Sequence, residues 1–219
     1  FANGYIYLLA GSGKNYVQYA KVNSDGTLGA WATSTSPLPA VSGLQRHMVQ
    51  AYNGYVYVIS GLDGSGISRA VFYAKANSDG SLSSWNNARS LPVGIELGIS
   101  VIYNGHLYVQ GYDMDNDRVD NTIYYAKINS DGTVGSWKTN PTPITAITSH
   151  SAVAYNGYLY IMGGTNVVIS NTGATSSIQI MKFNGDGSLG NYSTSSNPLP
   201  TTLFSHSSFV SNGYVYVVG

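Results

Sequence analysis

A β-propeller of four-stranded antiparallel blades is the fold class this sequence predicts, on three observations. An Asn-Gly pair stands at Asn3, Asn53, Asn104, Asn156 and Asn212, 50 to 56 residues apart, each time between two short apolar segments. A second turn, Asn-Ser-Asp-Gly at 23–26, 77–80 and 129–132 and Asn-Gly-Asp-Gly at 184–187, closes a third segment in each unit. No stretch carries helical periodicity, which argues against helix-pair solenoids.

The unit ending at Pro200 justifies each element in order. SHSAVAY (149–155) reads as strand one, and Asn156-Gly157 as a two-residue turn, because both residues tolerate the positive φ of a type I′ hairpin. YLYIMGG (158–164) returns as strand two, apolar on both faces, as expected of a sheet packed between neighbouring sheets. IQIMKF (178–183) is strand three, the Asn184–Gly187 turn follows, and LGNYSTSS is strand four. NPLP (197–200) ends pairing, since proline cannot donate to a ladder. The other units match position by position. The expected division is one propeller over 1–219: a partial blade at 1–39, blades at 40–92, 93–143 and 144–200, and a partial blade at 201–219. About four blades plus partial end blades are therefore present. Trp31, Trp85, Trp137 and Tyr192 share one repeat position and are expected to pack between sheets, where truncating a Trp costs about 3–5 kcal/mol. The tyrosine pairs of strand two read as architecture in the same way.

Composition excludes several functions. Lys and Arg balance Asp and Glu, and charged residues are only 9 % of the chain, so there is no basic field to gather nucleic acid. The absence of cysteine removes disulfides, thiolate metal sites and cysteine nucleophiles. No apolar run reaches the length of a membrane-spanning helix. The low-charge surface, rich in Ser, Thr, Asn and Tyr, suggests an extracellular or cell-surface protein.

His47, His150 and His206 stand early in strand one, a hydrophobic strand two ends in glycine, and an aromatic residue opens strand four. On these residues the chain resembles the kelch-type β-propeller repeat family, as a bacterial kelch-like protein, over its entire length. It departs at Gly98, which replaces the strand-one histidine, and the Gly-Gly pair is complete only at Gly163-Gly164. The resemblance implies a propeller. The family includes protein-binding scaffolds, carbohydrate-handling enzymes and extracellular proteins, so fold alone does not choose a function. Counted in order, the units supply three, four, four, four and two strands, which fill no whole number of blades. The sequence thus reads as a portion of a longer propeller, or as a subunit whose open end blades join copies into a homo-oligomer.

Function is expected on the connections between strands two and three. They diverge, from GSGKN (11–15) through GLDGSGISR and GYDMDNDRVDN to GGTNVVISNTGATSS, while the turns at the other sheet end are uniform. The same end receives the start of strand one. Arg46, His47, Glu96, Arg118, His150 and His206 are therefore the candidate ligand-binding residues, for a protein or a glycan. Asp113, Asp115 and Asp117 alternate along one loop as Ca²⁺ ligands do, with Asp120 following, without the glycine turn and closing glutamate of an EF-hand, and the four are the candidate for a weak Ca²⁺ site. No other cofactor is expected. The leading reading is a non-enzymatic interaction or surface module. The alternatives are a carbohydrate-active, sialate-processing-like enzyme using Arg46 and Glu96, and a structural subunit assembling through open strand edges.

Overall fold

The structure, a computed structural model, describes residues 1–11, 14–39, 43–168, 170 and 172–219. The tip of the 11–15 loop, part of the 165–177 loop and the expected blade boundary at residue 40 lie outside the described residues. Among the described residues there is no helix, and the chain forms five antiparallel sheets in sequence order. The first holds β1 (Tyr5–Gly11), β2 (Lys14–Lys21) and β3 (Ala32–Thr33). The second holds β4 (Met48–Tyr52), β5 (Tyr55–Asp63), β6 (Gly66–Lys75) and β7 (Asn86–Asn87). The third holds β8 (Ile95–Tyr103), β9 (His106–Asp113), β10 (Arg118–Val119), β11 (Tyr124–Lys127) and β12 (Lys138–Thr139). The fourth holds β13 (Ser151–Tyr155), β14 (Tyr158–Met162), β15 (Ile178–Lys182) and β16 (Ser193–Thr194), and the fifth pairs β17 (Ser207–Ser211) with β18 (Tyr214–Val218). None of these sheets closes on itself.

The contacts divide the chain into two compact units, Phe1–Gly94 with Asn129–Val134, and Ile95–Ile128 with Gly135–Gly219. In the first, Leu9, Val17, Leu44, Val56, Val58 and Phe72 form the core between the first two sheets. In the second, Ile99, Val101, Ile123, Leu159, Ile161 and Met181 fill the space between the third and fourth sheets. A smaller cluster of Val153, Met162 and Leu199 packs with Val210 and Val217 of the fifth.

The turns have the geometry their residues dictate. All five Asn-Gly pairs are left-handed at both positions, with Asn φ between 45° and 49° and Gly φ between 71° and 84°. In each four-residue turn one carboxylate oxygen of Asp25, Asp79, Asp131 or Asp186 accepts both the backbone N–H (2.9–3.0 Å) and the hydroxyl (2.7 Å) of the Thr or Ser two residues on. Those donors, the hydroxyl first, hold the four carboxyls below the usual aspartate range.

These turns are also the joints of the repeat. The hydroxyls of Tyr7, Tyr57 and Tyr108 donate to the carbonyl oxygens of Gly80, Gly132 and Gly187 at 2.9, 3.0 and 2.7 Å. The rings of Tyr5, Tyr55 and His106 lie over the same glycines, where an added Cβ would come within 2.4, 2.7 and 2.4 Å of them. Burial raises the pKa of each donating tyrosine, Tyr7 to about 12, so all three remain protonated donors. Tyr57→Phe leaves the buried Gly132 carbonyl without this donor and is expected to cost about 1–3 kcal/mol. Tyr216→Phe, at an exposed position, should stay within about 0.5 kcal/mol of the parent. Urea denaturation of the two variants checks the difference.

Three features differ from the sequence expectation. The fourth strands are only two residues long and begin after the shared aromatic position. Those aromatics do not act alike: Trp85 is half-buried and its indole N–H donates to the Ser36 carbonyl at 3.1 Å, whereas Trp31 and Tyr192 are 49 % and 39 % exposed. The full truncation penalty therefore does not apply to Trp31 or Tyr192. The eighteenth strand, β10, arises because the expected 111–121 loop folds back on β9, pairing Arg118 with Asp113 and Val119 with Tyr112. The 61–69 connection is likewise a continued ladder, with Leu62 opposite Ile67 and Asp63 opposite Gly66.

The departure at Gly98 has a backbone cause. In the first two sheets the ladder between strands two and three slips at Ala10 and Ser60, which are left-handed at φ 53° and 56°. In the third sheet the slip is instead in the β8–β9 pairing between Glu96 and Ile99, with Leu97 left-handed at φ 49°, and β9 runs straight through Gly111. The Gly98 and Gly111 backbones then meet so closely that a Cβ on Gly98 would lie 2.1 Å from the Gln110 carbonyl oxygen, and one on Gly111 2.6 Å from the Gly98 Cα. β9 then ends at Asp113, as the slipped β5 ends at Asp63.

Candidate functional site

The β9–β10 hairpin is organised around one buried carboxylate. Asp113 accepts through Oδ1 from the backbone N–H groups of Asp115 and Asn116 at 3.1 and 3.2 Å, and through Oδ2 from the Asn116 side-chain amide at 2.7 Å. The Arg118 guanidinium bridges the hairpin: Nε lies 3.3 Å from Asp113 Oδ2 and Nη2 lies 3.3 Å from Asp120 Oδ1. Asp120 Oδ1 also accepts from the Asn121 N–H at 2.8 Å and the Thr122 hydroxyl at 3.1 Å. Tyr112 donates its hydroxyl to Asp117. That bond, followed by burial and the charges of Asp117, Glu96 and Asp113, pushes the Tyr112 phenol up to about 12.

This geometry gives the four aspartates separate tasks. Asp113, Asp117 and Asp120 are turned to donors of their own hairpin, and Asp115 contributes its N–H to Asp113. Among the described residues no group of three or more His, Cys, Asp or Glu side chains is placed to hold a metal ion. The alternation that suggested Ca²⁺ is used instead to fix a turn. What the hairpin offers to solvent is Arg118, whose side chain is 56 % exposed while the carboxylates of Asp113 and Asp120 that hold it are 1 % and 4 % exposed. A guanidinium pinned at Nε and one Nη keeps its remaining N–H groups directed outward.

The strand-one residues are placed differently. In the first unit Arg46 is exposed, at a left-handed φ of 54°. His47 beside it donates from Nε2 to the Leu9 carbonyl at 3.1 Å, and burial lowers its pKa. In the second unit Glu96 is buried. His206 Nε2 lies 2.8 Å from the Ser151 hydroxyl. His150 is buried with neither ring nitrogen bonded to a described residue, and burial, with the neighbouring His206 second, pushes its pKa down to about 3. His150, His206 and Glu96 are thus interior groups. Of the six expected ligand contacts, Arg46 and Arg118 are the two exposed to solvent.

Sequence reading passed over a cleft at the opposite sheet end, the end of the four-residue turns. A cavity of about 380 Å3 is lined by His106, Tyr125, Lys127, Ser136, Lys138 and Asp186 among others. The available signal was a departure from the repeat, since His106 stands where the other units have Tyr5, Tyr55, Tyr158 and Tyr214.

No protein-family model matches the chain, and no curated protein matches it. Among solved structures, one titled "Structure of YjhT" superposes with a TM-score of 0.74 at 14 % identity, covering 98 % of this chain and 68 % of that one. The fold is propeller-like and all-β. At that identity the likeness concerns the fold alone. No described helix is long and apolar enough to cross a membrane.

Proposed function

We propose that this chain is a kelch-type β-propeller of about four blades with partial end blades, acting outside the cell or at its surface as a non-enzymatic module that binds a protein or a glycan. The binding element is the connection between strands two and three at 111–121 in the second compact unit, with Arg118 as its anchor. One observation carries this reading: an exposed guanidinium is held in place by two buried carboxylates on the 113–118 hairpin. Such a side chain loses little freedom on binding and matches carboxylates, carbonyls and sugar hydroxyls. The test is a glycan array together with an extracellular-matrix protein array, probed with the parent chain and with Arg118→Ala. Arg118→Ala should weaken the specific signals by roughly 30-fold, about 2 kcal/mol. Signals that persist unchanged in Arg118→Ala, and again when residues 113–121 are replaced by a short Gly/Ser turn, would overturn the reading.

A second reading, a structural subunit, rests on apolar side chains exposed on the first and fifth sheets, among them Leu8, Trp31, Phe209 and Tyr214. Native mass decides it. Concentration-dependent assembly abolished by Leu8→Lys supports it, and a monomer at high concentration removes it.

A further inference from the structure

We propose that the cleft between the third and fourth sheets, at the end bearing the four-residue turns, binds a small anionic sugar. The cavity of about 380 Å3 lies at the small end of the range of small-molecule pockets. Its walls come from β9, β11, the segment leading into β12, and the Asn184–Gly187 turn, all within the second compact unit.

The same junction is built three times along the chain, and comparing the copies isolates what is particular to this one. Cross-strand register fixes the equivalences. Tyr5 faces Lys21, Tyr55 faces Lys75 and His106 faces Lys127. Tyr19 faces Ala32, Tyr73 faces Asn86 and Tyr125 faces Lys138. The turn beneath carries Ser78 and Ser130 in the first two junctions and Gly185 in the third. Three substitutions therefore converge on one place. A phenol becomes a smaller imidazole, a serine loses its side chain, and a neutral residue becomes a lysine. The first two open space and the third adds charge, at a junction whose joint is otherwise kept, since Tyr108 still donates to Gly187. Packing requires none of them, because the neighbouring junctions close with Tyr, Ser and Ala or Asn.

The lining selects the ligand class. Lys127 and Lys138 against Asp186 leave a net positive cleft in a chain of zero net charge. The Lys138 ammonium stands 5.9 Å from the centroid of the Tyr125 ring, so it is already poised over the floor. Its charge is among the causes that keep the Asp186 carboxyl low, after the Ser188 donors. Asp186 remains an acceptor at neutral pH, suited to a ligand hydroxyl, while the ammonium groups and the Ser136 hydroxyl suit an anionic group. An anion without hydroxyls leaves Asp186 repelled, and a neutral sugar leaves the lysines uncompensated. A sugar carboxylate or a sugar phosphate satisfies both.

Isothermal titration of the parent chain with glucuronate, glucose 1-phosphate, glucose and inorganic phosphate tests this. At least one of the two anionic sugars should bind, with glucose and inorganic phosphate at least tenfold weaker. Which of the two binds tells a carboxylate from a phosphate ester. Lys138→Asn and Gly185→Ser, each copying a neighbouring junction at an exposed position, should cost tenfold or more without moving the thermal midpoint, and Lys138→Arg should retain binding. Binding of neither anionic sugar, equal binding of glucose or inorganic phosphate, or binding that survives Lys138→Asn combined with Gly185→Ser would overturn the proposal. Arg118→Ala should leave this binding unchanged, so the two sites stand or fall separately.

Discussion

Gly98→His, which installs the residue carried by three other repeats, is expected to destabilise the protein by about 3–5 kcal/mol. The first atom of any side chain at 98 falls 2.1 Å from the Gln110 carbonyl oxygen and 2.7 Å from the Gly111 Cα. Both obstacles are backbone, so no rotamer relieves them. The β8–β9 ladder would have to part or shift its slip to the register of the other sheets, re-aiming the strand that leads into the Arg118 hairpin. Gly98→Ala should therefore show most of the loss, because Cβ itself is the offending atom. The expected fall in thermal midpoint is roughly 10 °C for a chain of this size. A midpoint unchanged in both variants would mean that the two glycine backbones do not approach as described.

Stability should fall on mild acidification, and His150 is the main cause. Its folded pKa is about 3, against an unfolded value near 6.5. The unfolded chain therefore binds the extra proton first as pH drops, so this contribution is complete above about 6.5 and declines until the folded pKa is reached. The slope approaches about 1.4 kcal/mol per pH unit, or about 2–3 kcal/mol lost by pH 4.5. His47 and His206, whose pKa values are also lowered, act in the same direction. The turn aspartates have depressed values as well, so their contribution is lost at lower pH, below the ordinary aspartate range. Denaturant midpoints between pH 7 and 4.5 should accordingly fall less steeply in His150→Gln than in the parent. Equal slopes would place the pH dependence elsewhere.

What could be read from the residues was whatever local chemistry decides. Asn-Gly admits essentially one tight hairpin, and an Asp followed two residues later by Thr or Ser closes its own turn. The repeat of both along the chain implied antiparallel sheets before any contact was known. What could not be read depends on how backbones meet. Nothing local to Gly98 or Gly111 announces that they touch, yet that contact accompanies the move of the slip into the β8–β9 pairing, and beyond it the apparent calcium loop is a hairpin clasped by Arg118. The surroundings of the histidines depend on packing in the same way. Their repetition pointed to a shared role, and it is an interior one for His150 and His206. The His106–Lys138 cleft was hidden by the opposite habit, since uniform turns drew attention away from the one junction where they are not uniform.

The tyrosine-to-glycine joint bears on how such a chain changes length. Every donor stands in strand two and every acceptor closes a four-residue turn, so the second and third repeats each carry one half of two matching joints. Recombination that deletes or duplicates one unit of 50 to 56 residues rejoins a tyrosine to an equivalent glycine carbonyl, whichever boundary is used. Copy number can then drift across generations without any joint having to be reinvented, while single junctions, such as the one at His106, remain free to diverge.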